Sequence, residues 1–68
     1  MSKILKNNIS EIRKLKGISI LEISEKLKIS ENNFQSIEKG DFNPPVKLSL
    51  KIASILQTPA GELFYIED

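Results

Sequence analysis

The stretch from Ser19 to Gly40, SILEISEKLKISENNFQSIEKG, constrains this chain most, because it carries start and stop signals for two short helices in quick succession. Ser19 suits the N-cap of the first, where its hydroxyl accepts a free backbone N–H of the opening turn. Glu22, three residues on, is placed to complete a capping box. Ile23 and Leu27 are four apart and share a face. Lys28-Ile29 forms the break, and Ser30 caps a second helix with Phe34 and Ile37 on its apolar side. Gly40 supplies the left-handed residue that commonly ends a helix. Periodicity by itself says no more than a helical hairpin.

The flanking segments read as further short helices. A first helix is expected from about Leu5 or Asn8 to Lys16, with Ile9, Ile12 and Leu15 at helical spacing. Lys14 and Lys16 suit the negative end of its dipole, and Gly17 is a fitting stop. Ile18 precedes the Ser19 cap, where an apolar residue can staple the entry to the next helix. Asp41-Phe42-Asn43-Pro44-Pro45 is a loop, since two prolines cannot continue a helix, though Pro45 can occupy the first helical position. Leu48, Ile52, Ile55 and Leu56 form an apolar stripe, with Ala53 allowing close approach. Thr58-Pro59 reads as a cap followed by proline at the first position of a short fifth helix ending near Leu63 or Phe64. The apolar tail Phe64-Tyr65-Ile66 either forms a short strand or docks as an end. The expected fold is all-α, five short helices around one core of Ile12, Leu15, Ile23, Leu27, Ile29, Phe34, Ile37, Leu48, Ile52, Leu56 and Leu63.

At 68 residues, one domain spanning 1–68 is the expected organisation, near the lower limit for a core that stands alone, so dimerisation is expected to help. Cysteine and histidine are both absent, which removes disulfides, thiolate metal sites and His-based catalysis. No apolar run approaches a membrane span of roughly 18 residues. The N-terminal MSKILKNNIS lacks a secretory signal's apolar region, so an intracellular, cytoplasmic protein is expected. Net charge is only +1, but it is sorted along the chain. Lys3, Lys6, Arg13, Lys14 and Lys16 face Glu11 alone in the first segment, and Lys39, Lys47 and Lys51 outnumber Asp41 in another. Such sorting can place basic groups on one side of a fold, or it can mark ordinary solvated helix surfaces.

Two short helices joined by a tight turn on a chain this small fit a helix-turn-helix, whose second helix enters the DNA major groove. Arg13…Gly17-Ile18-Ser19, Ile29-Ser30, Ile37-Glu38-Lys39-Gly40, Asn43-Pro44 and Leu50-Lys51-Ile52-Ala53 together resemble the phage-repressor type of helix-turn-helix, the Cro/C1 or XRE-like regulators. The resemblance runs from about Ile9 to Phe64. It implies a five-helix, lambda-repressor-like domain with a recognition helix at about Glu31 to Lys39. It also implies double-stranded DNA as partner, and homodimers on palindromic operators with recognition helices roughly 34 Å apart. Repression is the commoner outcome in such a family. The resemblance further suggests that Arg13 pairs with Glu38, tying the first helix to the third.

By the same resemblance Glu31, Asn32 and Ser36 face the groove floor. Asn32 is the foremost base reader, because an Asn amide can bond adenine N6 and N7 together, and Gln35 has the same chemistry. Glu31 is repelled by phosphates, yet it can accept from cytosine N4, and at a helix start its charge is also simply favourable. Phosphate contacts are expected from Lys16, Ser19, Ser30, Asn33, Lys39 and Asn43. Without the resemblance, every one of these reads equally as solvated helix surface. Ile20 stands where the family often has Gln, and with Leu21 it is free to meet a thymine methyl, pack under a loop or contact a partner. A dimer interface is expected at Ile55, Leu63, Phe64, Tyr65 and Ile66, although Leu63 and Phe64 can equally close the core of one chain. No cofactor, small-molecule ligand, membrane contact or reaction is expected, since no Gly-rich phosphate loop or partnered carboxylate appears. The rival reading is a protein-interaction module on the same fold with weak DNA affinity, motivated by Ile20, Leu21 and Glu31.

Overall fold

In the computed structural model, which describes residues 4–67, five helices lie between two short strands. The order is β1 (Ile4–Asn7), α1 (Ile9–Leu15), α2 (Ile20–Leu27), α3 (Glu31–Lys39), α4 (Val46–Leu56), α5 (Ala60–Leu63) and β2 (Phe64–Glu67). The strands pair antiparallel, in the register Ile4↔Glu67, Leu5↔Ile66, Lys6↔Tyr65 and Asn7↔Phe64. The five expected helices are present and the fold is mostly helical, with the addition of a two-stranded sheet that joins the two ends of the described chain. The tail takes the strand alternative because β1 offers it a partner. Of the two expected starts of the first helix, Leu5 lies on that partner strand, and Asn8 is the cap before α1, which begins at Ile9.

Helix ends follow local chemistry closely. Ser19 Oγ accepts from Glu22 N at 3.0 Å, and Ser30 Oγ accepts from Asn33 N at 3.1 Å. The returning half of the capping box is replaced: the Glu22 carboxylate lies 3.7 Å from Lys26 Nζ, one turn along. α1 through α4 each end in the same paired bonds to left-handed residues at Gly17, Lys28, Gly40 and Gln57. At Gly17 these bonds are Ile18 N to Arg13 O and Gly17 N to Lys14 O, both 3.1 Å. Lys28 (φ 59°) and Gln57 (φ 53°) hold this conformation without being glycine. The starts of α4 and α5 sit one residue later than expected, with Pro45 and Pro59 in the cap positions. Thr58 is not the cap of α5, because its hydroxyl donates to Leu56 O at 3.0 Å.

The core consists of Ile9, Ile23, Leu27, Phe34, Ile37, Ile52, Ala53, Leu56 and Leu63. Each wholly buried Ile, Leu or Phe among them contributes about 1.5–3 kcal/mol of transfer free energy. Ile12, Ile29 and Leu48 pack at its margin, partly buried. Leu15 is a correction, being 84% exposed. Steps of three residues fall short of a full turn by about 60° each, so a run at Ile9, Ile12 and Leu15 rotates off the buried face. Ile9 and Arg13, four apart, define that face instead.

Candidate nucleic-acid interface

The α3 helix buries Phe34 and Ile37 and holds Glu38 against α1. With about 100° between successive residues, the direction opposite that buried face is occupied by Asn32 and Lys39, flanked by Gln35 and Ser36. Asn32 and Lys39 are exposed, while Gln35 and Ser36 are half-buried. Glu31 is exposed in the first turn, at the side nearer Glu38, and exposed Asn33 lies at the other side. Asn33 and Ser36 line a groove with Ile29, Ile37, Phe42, Pro45 and Leu48. The outward face is thus amide, hydroxyl and ammonium, groups able to read base edges or hold phosphate.

A guanidinium braces the helix from behind. Arg13 Nε donates to Glu38 Oε2 at 2.7 Å, and Arg13 Nη1 donates to Ile18 O at 2.9 Å. Both side chains are about nine-tenths buried (9% and 10% exposed). One residue of α1 therefore fixes both the turn entering α2 and the last turns of α3. A charge-assisted pair this short is strong only because its geometry is met at both ends. Within α2, Ser24 is buried at 2% exposure, and its hydroxyl is satisfied by donating to Leu21 O at 3.0 Å.

Around this face, Lys16, Ser19, Ser30 and Asn43 are all exposed. The Ser19 and Ser30 hydroxyls accept from backbone N–H groups, which leaves each O–H free to donate outward. Among the described residues the ion pairs are Arg13–Glu38 and Lys26–Glu22, so neither Lys16 nor Lys39 is neutralised by a neighbouring carboxylate. Ile20 is partly buried and packs against the core, whereas Leu21 is 53% exposed.

Among the residues expected at a dimer interface, Leu63 is wholly inside the single chain and offers no surface to a second copy, which corrects its assignment there. Ile55 and Phe64 are partly buried against the core, and Tyr65 and Ile66 are exposed. Phe42, Val46 and Leu50 are also large exposed apolar residues that sequence spacing did not single out. Val46 and Leu50, four apart on α4, could have been noticed as a second stripe flanking the Ile52–Leu56 face. Asn7 and Asn8 were also missed, and their bonds run to distant parts of the chain. Among the described residues no helix is long and apolar enough to cross a membrane.

A helix-turn-helix family model matches residues 9–63, from the start of α1 to the end of α5. The chain is 31% identical over 64 residues to the Uncharacterized HTH-type transcriptional regulator MJ0272 of Methanocaldococcus jannaschii, covering 94% of this chain and 97% of that protein. It is 30% identical over 64 residues to the Uncharacterized HTH-type transcriptional regulator YgzD of Bacillus subtilis, with the same coverage. An HTH-type transcriptional regulator of Archaeoglobus fulgidus is 28% identical over 64 residues, covering 94% of this chain and 91% of the relative. The match spans the capped helix pair, the Arg13–Glu38 brace and the outward polar face of α3 together, and the chain belongs to the Cro/C1-type helix-turn-helix family of transcriptional regulators, which is not enzymatic.

Proposed function

We propose that this chain is one DNA-binding domain acting in the cytoplasm as a homodimeric, sequence-specific repressor of transcription. Two α3 helices enter successive major-groove faces of a two-fold symmetric operator. The observation that carries this reading is the outward face of α3, where Asn32 and Lys39 stand opposite the buried Phe34 and Ile37. Glu31, Asn32, Gln35 and Ser36 read base edges, and Asn32 takes adenine through its amide. Lys16, Ser19, Ser30, Asn33, Lys39 and Asn43 hold phosphates on either side. The second copy docks on Ile55, Phe64, Tyr65 and Ile66, where β2 has one edge paired to β1 and one edge open.

Selection of bound duplexes from a randomised pool at physiological salt tests this directly. A two-fold symmetric consensus, one to two helical turns long, is the expected product. No enrichment by a folded protein would reject the reading. In that case the protein-interaction alternative gains, because Leu21 on α2 is exposed beside the candidate DNA face.

A further inference from the structure

Asn7 joins three parts of the molecule that are far apart in sequence. Its backbone belongs to β1 and pairs with Phe64 on β2. Its side-chain Oδ1 accepts from Ile9 N at 3.1 Å, taking a free donor at the start of α1. Its Nδ2 donates to Ile37 O at 2.9 Å, in the closing turn of α3. The orientation of the amide is dictated by these partners, since a carbonyl only accepts and a backbone N–H only donates. Ile37 O also accepts from Gly40 N at 3.1 Å, so the residue that ends the recognition helix and the strand residue share one acceptor. Asn8 continues the joint: its N–H donates to Leu63 O at 2.8 Å and its Nδ2 to Glu62 O at 3.3 Å.

We infer that Asn7 is a positioning residue for operator recognition, making the terminal sheet and α3 one rigid unit so that the chain selects operators by half-site spacing. This rests on the dimeric reading above. Docking at β2 sets where each protomer stands, and α3 reads the base edges. The spacing preference of such a dimer depends on how stiffly these two elements are connected within one chain. Hydrophobic packing restrains α3 laterally, but the bond to Ile37 O fixes its C-terminal turn to a strand whose other partner is the docking strand. Arg13 braces the same helix from α1, and among the described residues its side-chain bonds run to Glu38 and Ile18 rather than to β2.

Asn7→Asp separates this role from general stability. An aspartate still accepts from Ile9 N, and its charge suits a helix N-terminus. Its second oxygen faces the Ile37 carbonyl, so that contact is broken. The measurement uses the selected duplex, versions with the half-sites moved apart or together by one and two base pairs, and a single half-site duplex. The ratio of affinities for optimal and shifted spacing is expected to fall by about three- to tenfold, the effect of losing one part-buried hydrogen bond. Affinity for the single half-site stays within about twofold. Ile52→Val, a core substitution on α4 that removes none of the Asn7 hydrogen bonds, serves as the stability control and is expected to lower the melting temperature while leaving the ratio intact. An unchanged ratio in Asn7→Asp, or an equal fall in Ile52→Val, overturns the inference while leaving the dimeric reading in place. A wild-type protein with no spacing preference overturns both.

Discussion

Truncating Glu38 to alanine leaves the Arg13 guanidinium nine-tenths buried with its Nε unpartnered. Breaking a buried pair by removing one member costs about 3–5 kcal/mol. Arg13 keeps its bond to Ile18 O, so the lower end, about 3 kcal/mol, is expected here. A domain of this length has a total stability of roughly 3–10 kcal/mol, so the change consumes a large part of it. Each kcal/mol shifts the midpoint by roughly 4–8 °C at this size, so a fall of roughly 12–24 °C is expected by circular dichroism. Urea titration gives the change at about 25 °C, from linear extrapolation of the unfolding free energy to zero denaturant. Arg13→Met with Glu38→Leu removes both charges and should be less damaging than Glu38→Ala alone, because no ion is then left buried. A fall under roughly 3 °C for Glu38→Ala would refute the argument, since a pair that close and that buried cannot be lost so cheaply unless water replaces it.

Asn32→Ala should cost roughly 1–3 kcal/mol on the selected operator, concentrated at one base position; an equal loss on all duplexes in a competition assay would reject base reading. Lys39→Ala should weaken every sequence alike and make the log–log salt dependence shallower by about 0.9, and an unchanged slope would remove it from the phosphate contacts. Lys28→Gly should raise the melting temperature by about 2–4 °C, because the left-handed backbone at φ 59° is strained for lysine and open to glycine. Ile66→Lys should shift the protein toward monomer in analytical ultracentrifugation while leaving its helical spectrum intact, since Ile66 is 65% exposed in one chain.

The parts legible in the sequence are those decided within a few residues. Ser19, Ser30, Gly17 and Gly40 declare helix ends because a cap or a left-handed residue acts on its own turn. The α3 core residues Phe34 and Ile37 follow from spacing alone. The β1 strand did not, because Ile4-Leu5-Lys6-Asn7 has no alternation of its own and its partner lies at the other end of the chain. Leu15 misled because Arg13, a charged residue, occupies the buried face that apolar spacing assigned to leucine. That displacement makes sense only once Glu38, 25 residues away, is seen to neutralise it. The Asn7 contact to Ile37 O, 30 residues away, left no signal in the pattern at all, since an asparagine before a helix also serves as an ordinary cap.

The terminal sheet also decides how this molecule comes apart. Among the described residues Ile4 and Glu67 form the outermost rung, and Asn7 and Phe64 the innermost. Tension or fraying at the two ends therefore loads one rung at a time, like a zipper, rather than shearing all of them together. The strands can open from the outside inward while the helices stay folded, and loss of the first rungs leaves α3 undisturbed. Only when the opening reaches Asn7 does it touch the carbonyl in the closing turn of α3, so damage to the ends is absorbed before it reaches the proposed DNA-reading face.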